Sequence, residues 1–250
     1  MKGIFLSVVL AMAAILPAAG QRRDSVYTAS EQFRFQKLIA PVSLMGVGAV
    51  CAFTPGYQHG VNEPVRDWVL SKTSGADNLI DNYIQFAPLA GYAVAAVCGA
   101  GEHSFLEQAL VGGTSYLLLF LSVQGVKYAT ANVRPNGAPF SFPSGHTATA
   151  FLGAELVRLE YGPCWGLAAY SVAVTTAFLR VWNNWHWTSD LIAGAGFGIL
   201  CAHAGYWLLP LERKLFHLDH RERPVQLSTV PCVAPTPYGT SYGMSLTLNF

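Results

Sequence analysis

The chain has 250 residues, of which 52% are hydrophobic and only 12% charged, and its mean hydropathy is +0.34. This balance excludes an ordinary soluble domain and points to a chain mostly embedded in a membrane. Lys and Arg number 15 against 14 Asp and Glu, for a net charge of +1, so no global basic field is present to draw nucleic acid.

The first run, MKGIFLSVVLAMAAILPAAG, has one Lys, an apolar core from Ile4 to Leu16 and the small residues Ala18, Ala19 and Gly20. That is the order of a secretory signal peptide over 1–20 cleaved after Gly20, with an uncleaved N-terminal membrane helix as the alternative. Apolar segments follow at about 38–56, 84–100, 108–126, 146–159, 164–182 and 188–209. Several approach the roughly 20 residues that a helix needs to cross a bilayer, which predicts an all-α polytopic bundle of about six helices. The fourth is short, and Pro41, Gly46, Gly48 and Pro55 interrupt the first. Residues 62–83 mix apolar and charged positions as a surface-lying helix and loop would. One integral-membrane domain is expected over 21–210, with a tail over 211–250.

Arg22, Arg23, Arg34 and Lys37 precede the first long segment, and Arg213, Lys214, Arg221 and Arg223 follow the last. Both clusters favour the cytoplasm, so six spans would place the ends of the third and fifth segments at the periplasm of a bacterial inner membrane. A cleaved leader would invert that count. Either the leader stays, or the 38–56 segment does not cross fully. Cys51, Cys98, Cys164 and Cys201 lie in apolar runs and Cys232 stands alone in the tail, without metal-ligand spacing. They read as packing residues.

Polar residues concentrate at segment ends. In KYATANVRP, Lys127 and Arg134 are seven residues apart, close to two helical turns, and Pro135 disfavours helix at Arg134. Snorkelling or topology charges are the bland reading of this pair. In SFPSGHTATAF, Pro143 suits a first turn, Ser144 can cap it, and Gly145 lets a ligand approach the backbone. The free N–H groups of such a terminus bind phosphate-like anions, and His146 would stand at the anion's edge. An ordinary cap with an interfacial histidine is the alternative. In LRVWNNWHWTSDL, His186 and Asp190 are four residues apart, so a helix beginning by Trp185 would put them on one face, with the carboxylate on one ring nitrogen and the other free to attack. Arg180 offers paired donors to phosphate oxygens. Trp182, Trp185 and Trp187 read as an interfacial belt.

In order, these pieces spell K-x6-R-P, P-S-G-H and R-x5-H-x3-D, and over residues 127–190 the chain resembles the type 2 phosphatidic acid phosphatase superfamily, which includes bacterial lipid phosphatases and vanadium haloperoxidases. The resemblance implies a phosphatase that needs no metal or other cofactor and works through a phosphohistidine. His186 would be the nucleophile, Asp190 its orienting partner and His146 the general acid and base. Lys127, Arg134, Arg180, Ser144 and the Gly145 N–H would hold the phosphoryl oxygens. The family usually places serine before the arginine of the third motif, whereas this chain has Leu179, which puts a hydrogen bond near Arg180 in doubt.

The implied partners are the bilayer and a phosphorylated lipid, with no protein partner evident. The leader and the polar approach to IDNYIQFAP resemble the envelope branch that contains lipid A phosphatases. Lipid A phosphate is therefore the first substrate expectation, ahead of undecaprenyl diphosphate and phosphatidylglycerol phosphate. A haloperoxidase would use the same pocket for vanadate, but the long apolar runs argue against it. A catalytically dead lipid-binding protein is favoured only by Leu179. The alternation of Tyr242, Met244, Leu246 and Leu248 before Phe250 is similar to a last outer-membrane strand, but no strand series precedes it, so a disordered or loosely attached tail is expected.

Overall fold

A computed structural model describes residues 30–73, 79–218, 226–236 and 239–249. The leader, Arg22, Arg23, Arg221 and Arg223 lie outside the described residues. The chain divides into a body ending at Glu212 and a second unit from Arg213.

All six apolar segments are helical: α1 Gln36–Phe53, α4 Ala87–Val97, α5 Phe105–Thr130, α6 Gly145–Tyr161, α7 Pro163–Trp182 and α8 Thr188–Leu215. Four of them, α1, α5, α7 and α8, are long and apolar enough to cross a membrane. The interruptions expected at Pro41, Gly46 and Gly48 leave α1 continuous. Residues 62–83 contribute α2, Glu63–Thr73, entered through a π turn at Gln58–Asn62, and the single turn α3, Asp81–Ile84.

Local chemistry sets the helix ends. Ser104 and Glu107 form a reciprocal capping box at the start of α5: Glu107 Oε2 accepts from Ser104 N at 2.8 Å and Ser104 Oγ accepts from Glu107 N at 3.3 Å. Helix α6 stops at Gly162, whose φ of 91° is unfavourable for any residue with a Cβ, and Pro163 opens α7 immediately afterwards. The glycine and proline together turn the chain back, and α6 packs along α7.

Helix α6 is the centre of the body. Ala148, Ala150, Leu152, Ala154 and Leu156 are all fully buried. Exposed Ile39, Val42, Val47 and Val50 of α1, Leu117, Phe120 and Leu121 of α5, and Leu167, Val174 and Phe178 of α7 form apolar outer faces suited to lipid. Acyl chains are as apolar as leucine, so close backbone packing must hold such helices together. Gly194 and Gly198 of α8 supply it, because a Cβ there would fall 2.6 Å from the Ser144 carbonyl oxygen and 2.3 Å from that of Ala148. Of the cysteines, Cys201 is buried, whereas Cys98 and Cys164 are exposed and so are not the packing residues expected.

The second unit holds β1, Gln226–Thr236, paired antiparallel with β2, Gly239–Asn249, with Gln226 opposite Asn249 and Thr236 opposite Gly239. The all-α expectation therefore holds for the body only, and the tail expected to be disordered or loosely attached has a paired backbone. Pro231 and Pro235 mask the first strand in the sequence, since proline is depleted in strands.

Candidate active site

The C-terminal ends of α5 and α7 meet the N-terminal ends of α6 and α8. Lys127 comes from the last turn of α5, Arg134 from the loop after it, His146 from the first turn of α6 and Arg180 from the last turn of α7. His186 lies just before α8 and Asp190 in its first turn. A cleft of 280 Å³ is lined at one end by Lys127, Arg134, Gly145, His146 and His186, and at the other by Tyr116, Leu119, Phe120 and Val123 of α5. Ser144, Arg180 and Asp190 are buried and are not among the lining residues.

His186 and Asp190 meet, although α8 begins at Thr188 and not by Trp185. The shared helical face is replaced by a carboxylate that reaches back over the helix start. Asp190 Oδ2 lies 3.2 Å from His186 Nδ1 and also accepts from Trp187 N at 3.1 Å and from Ser141 Oγ at 2.5 Å. An oxygen taking two other donors acts as an acceptor toward the ring, which places the ring proton on Nδ1 and a lone pair on Nε2. No hydrogen bond joins Nε2 to another described residue. Burial pushes the His186 imidazole down to about 4, against the opposing pull of Asp190 and with Lys127 and Arg180 adding to it. The ring is therefore neutral, and nucleophilic, at neutral pH.

The cations are held by different devices. Lys127 Nζ donates to the carbonyls of Phe140 at 2.7 Å and Ser141 at 3.3 Å, which ties α5 to the segment that leads into α6. Because α5 ends at Thr130, Arg134 does not share a helical face with Lys127 as the spacing suggested. The chain folds back instead, with Arg134 N donating to the Ala138 carbonyl at 2.8 Å. Burial lowers the pKa of the Arg134 guanidinium, Arg180 adds to this and Asp190 opposes it. Its Nε is buried with no partner among the described residues, and an anion would satisfy it. The guanidinium carbons of Arg134 and Arg180 each lie 5.4 Å from the centre of the Trp185 ring. That indole is thus part of the site and not of a belt, an arrangement that offsets part of the repulsion between the two arginines. Trp187 also turns inward and donates from Nε1 to the Val133 carbonyl at 2.8 Å.

Ser144 caps α6 as expected. Its Oγ accepts from Thr147 Oγ1 at 3.0 Å and from Thr147 N at 3.4 Å, and its own N–H donates to the Asp190 carbonyl at 3.0 Å. The hydroxyl thus serves the cap and the backbone joins α6 to α8, while Gly145 presents the helix terminus to the cleft.

Three contributors are not singled out in the sequence, Asp81, Asn82 and Ser141, and a fourth, Trp185, reads there as part of a belt. Arg180 Nη1 donates to Asp81 Oδ2 at 2.7 Å, with both side chains buried. Asn82 Oδ1 lies 2.9 Å from His146 Nε2. The support for Arg180 that Leu179 put in doubt comes from α3, a distant part of the chain. The only sequence signal was a pair of polar residues at the mouth of an apolar run.

A model of the PAP2 superfamily matches residues 108–214. Lipid A 1-phosphatase from Porphyromonas gingivalis is 36% identical over 159 residues, which is 60% of this chain and 35% of that protein's length. A crystal structure of a transmembrane PAP2 type phosphatidylglycerolphosphate phosphatase from Bacillus subtilis aligns with 74% of this chain and 98% of its own, at 19% identity and a TM-score of 0.47. The matched 108–214 stretch carries Lys127, Arg134, His146, Arg180, His186 and Asp190.

Proposed function

We propose that this protein is a membrane lipid phosphatase that removes phosphate from a lipid through a phosphohistidine on His186. The observation that carries this reading is the cleft: a neutral histidine braced by Asp190 stands among protein cations at one end, with an apolar wall of a membrane-spanning helix at the other. A phosphate ester on a lipid matches both ends.

In the first half-reaction the Nε2 lone pair attacks phosphorus, the bond from phosphorus to the lipid oxygen breaks, and His146 gives that oxygen a proton. In the second, water attacks the phosphohistidine, gives a proton to His146, and the P–N bond breaks to release orthophosphate. Lys127, Arg134 and Arg180 balance the dianion, the task in phosphoryl transfer that depends most on fixed charge. Phosphate-monoester hydrolysis is among the slowest uncatalysed reactions, with required accelerations up to about 10²¹. A shared cleft, in which positioning, acid catalysis and charge act at once, suits that demand.

Lipid A phosphate is the substrate this reading favours, supported by the name of the Porphyromonas gingivalis relative. Lys37 near the start of α1 and Arg213 and Lys214 near the end of α8 support a cytoplasmic placement of those ends and a periplasmic cleft. The test is phosphate release in detergent with EDTA, comparing wild type and His186→Ala on lipid A, undecaprenyl diphosphate and phosphatidylglycerol phosphate. Wild type alone should release phosphate, most readily from lipid A. Equal release by the two proteins would overturn the mechanism.

A further inference from the structure

The turn α3 reaches the site with two consecutive residues, and each meets a side chain from a different helix. Asp81 Oδ2 accepts from Arg180 Nη1 at 2.7 Å, in a pair buried on both sides. That pair anchors α3 against the end of α7 and sets Asn82 opposite His146, on the first turn of α6. Gln85, one residue past the turn, donates from Nε2 back to the Asn82 carbonyl at 2.9 Å.

The chemistry of Asn82 decides which proton His146 can move. Either end of an amide could face the ring, so the neighbouring groups must settle it. Arg180 Nη1, which can only donate, also approaches Asn82 Oδ1, at 3.5 Å. The oxygen end therefore faces the guanidinium and the ring together, and His146 Nε2–H is the donor of the 2.9 Å bond. Nδ1 makes no hydrogen bond to another described residue, and His146 lines the cleft.

Resting on the proposed phosphatase reading, we infer that Asn82 is a positioning residue that fixes His146 as its Nε2–H tautomer and so directs all proton exchange through Nδ1. The neutral ring then offers Nδ1 as the base toward water. The imidazolium gives the Nδ1 proton to the departing lipid oxygen and keeps the Nε2 proton on Asn82. A neutral amide, unlike the carboxylate that braces His186, holds the tautomer without strongly favouring the imidazolium. That suits a group that must both give and take a proton. The charged and titratable groups around the ring include Lys127 of α5, Arg134 of the following loop, Arg180 of α7 with its partner Asp81 of α3, and His186 before α8 with its partner Asp190. Asp81 of the same turn pairs with Arg180, and Asn82 presents its amide oxygen to the ring and orients it.

The test uses the full chain in detergent, with Asn82→Ala and Asn82→Asp variants and two probes, dodecyl phosphate and p-nitrophenyl phosphate. The alkoxide leaving group of the first needs a proton, whereas nitrophenolate leaves without one. Asn82→Ala should lower kcat/KM on dodecyl phosphate by about 10- to 100-fold and on p-nitrophenyl phosphate by no more than about threefold. Asn82→Asp should recover part of the loss and move the alkaline limb of the pH profile upward, because a carboxylate favours the imidazolium. Nitrogen NMR of histidine-labelled protein should show His146 protonated at Nε2 in wild type and a mixture of tautomers in Asn82→Ala. Equal losses on the two esters, an unmoved alkaline limb in Asn82→Asp or a wild-type ring protonated at Nδ1 would each overturn the inference. A wild type that holds the Nε2–H tautomer yet releases phosphate from neither probe would sink the phosphatase reading and leave the placement of the proton standing.

Discussion

His186 and His146 face the same cleft but are held by different partners, a carboxylate for one and an amide for the other. The difference suits the proposed roles, a nucleophile that keeps one tautomer and an acid that must change its protonation state. Replacing His186 by Ala should abolish phosphate release while the protein still folds, as judged by an unchanged gel-filtration profile and helix content. His146→Ala should reduce kcat by about 10²- to 10⁴-fold, the usual worth of a positioned acid and base. The pH dependence has a definite sign. Burial holds His186 down to about 4, so the proposed nucleophile is protonated, and lost, only as pH falls through that value. A pH–rate profile in which an acid limb near 6.5, the value of an unperturbed histidine, tracks His186 would contradict this.

Among the elements, the α6–α8 contact tolerates the least change, because a side chain on Gly198 would meet the Ala148 carbonyl and the backbone of Leu152. Gly198→Leu should separate α6, which carries His146, from α8, which carries Asp190, lower the melting temperature in detergent and remove activity, whereas Gly113→Ala, with nothing within 4 Å of the new methyl, should do neither. The six helices were legible because apolar runs between polar ends are long-lived signals in a chain, and the motifs were legible because their residues cluster at those ends. The central place of α6 was not. Its Glu155, Arg158 and Glu160 make the sequence look like a short, interrupted span, yet Glu155 pairs with Arg158 and His203, and Glu160 with His103. Paired charges read the same as solvated ones until a partner from another helix is known. Asp81 was hidden for the same reason, since its contact with Arg180 crosses 99 positions of sequence. Trp185 looked like any interfacial tryptophan because composition does not reveal which cations stand beside a ring.

Across the whole body, a second polar cluster lies about 24 Å from the site, the rise of the 16 steps along α6 from Gly145 to Tyr161. Glu160 Oε1 accepts from the backbone N–H groups of Glu102 at 2.7 Å and His103 at 2.8 Å, and Oε2 meets His103 Nδ1 and Tyr206 Oη, each at 2.7 Å. Glu31 approaches His103 Nε2 at 3.1 Å. Burial opposes a charge on His103, but Glu160 and Glu31 outweigh it and hold the imidazole up to about 9. A folded-state pKa raised above the unfolded one stabilises fully below the unfolded value of about 6.5, and the contribution is lost as pH rises through about 9. The melting temperature should therefore fall across that interval, and His103→Gln should flatten the dependence. Glu160→Gln should cost about 3–5 kcal/mol, as breaking a buried pair does, with a lower melting temperature at pH 7 as the readout.

The two arginines that flank Trp185, together with Lys127, have a consequence for turnover. Like charges gathered in one place are relieved by an anion, and on the proposed reading the cations that hold a lipid's phosphoryl group would hold the free ion left by the reaction as well. Orthophosphate should therefore linger, so that product inhibition slows the enzyme as its own product accumulates. Phosphate-buffered assays would hide the activity, and rapid removal of phosphate on the side where the cleft opens would sustain it.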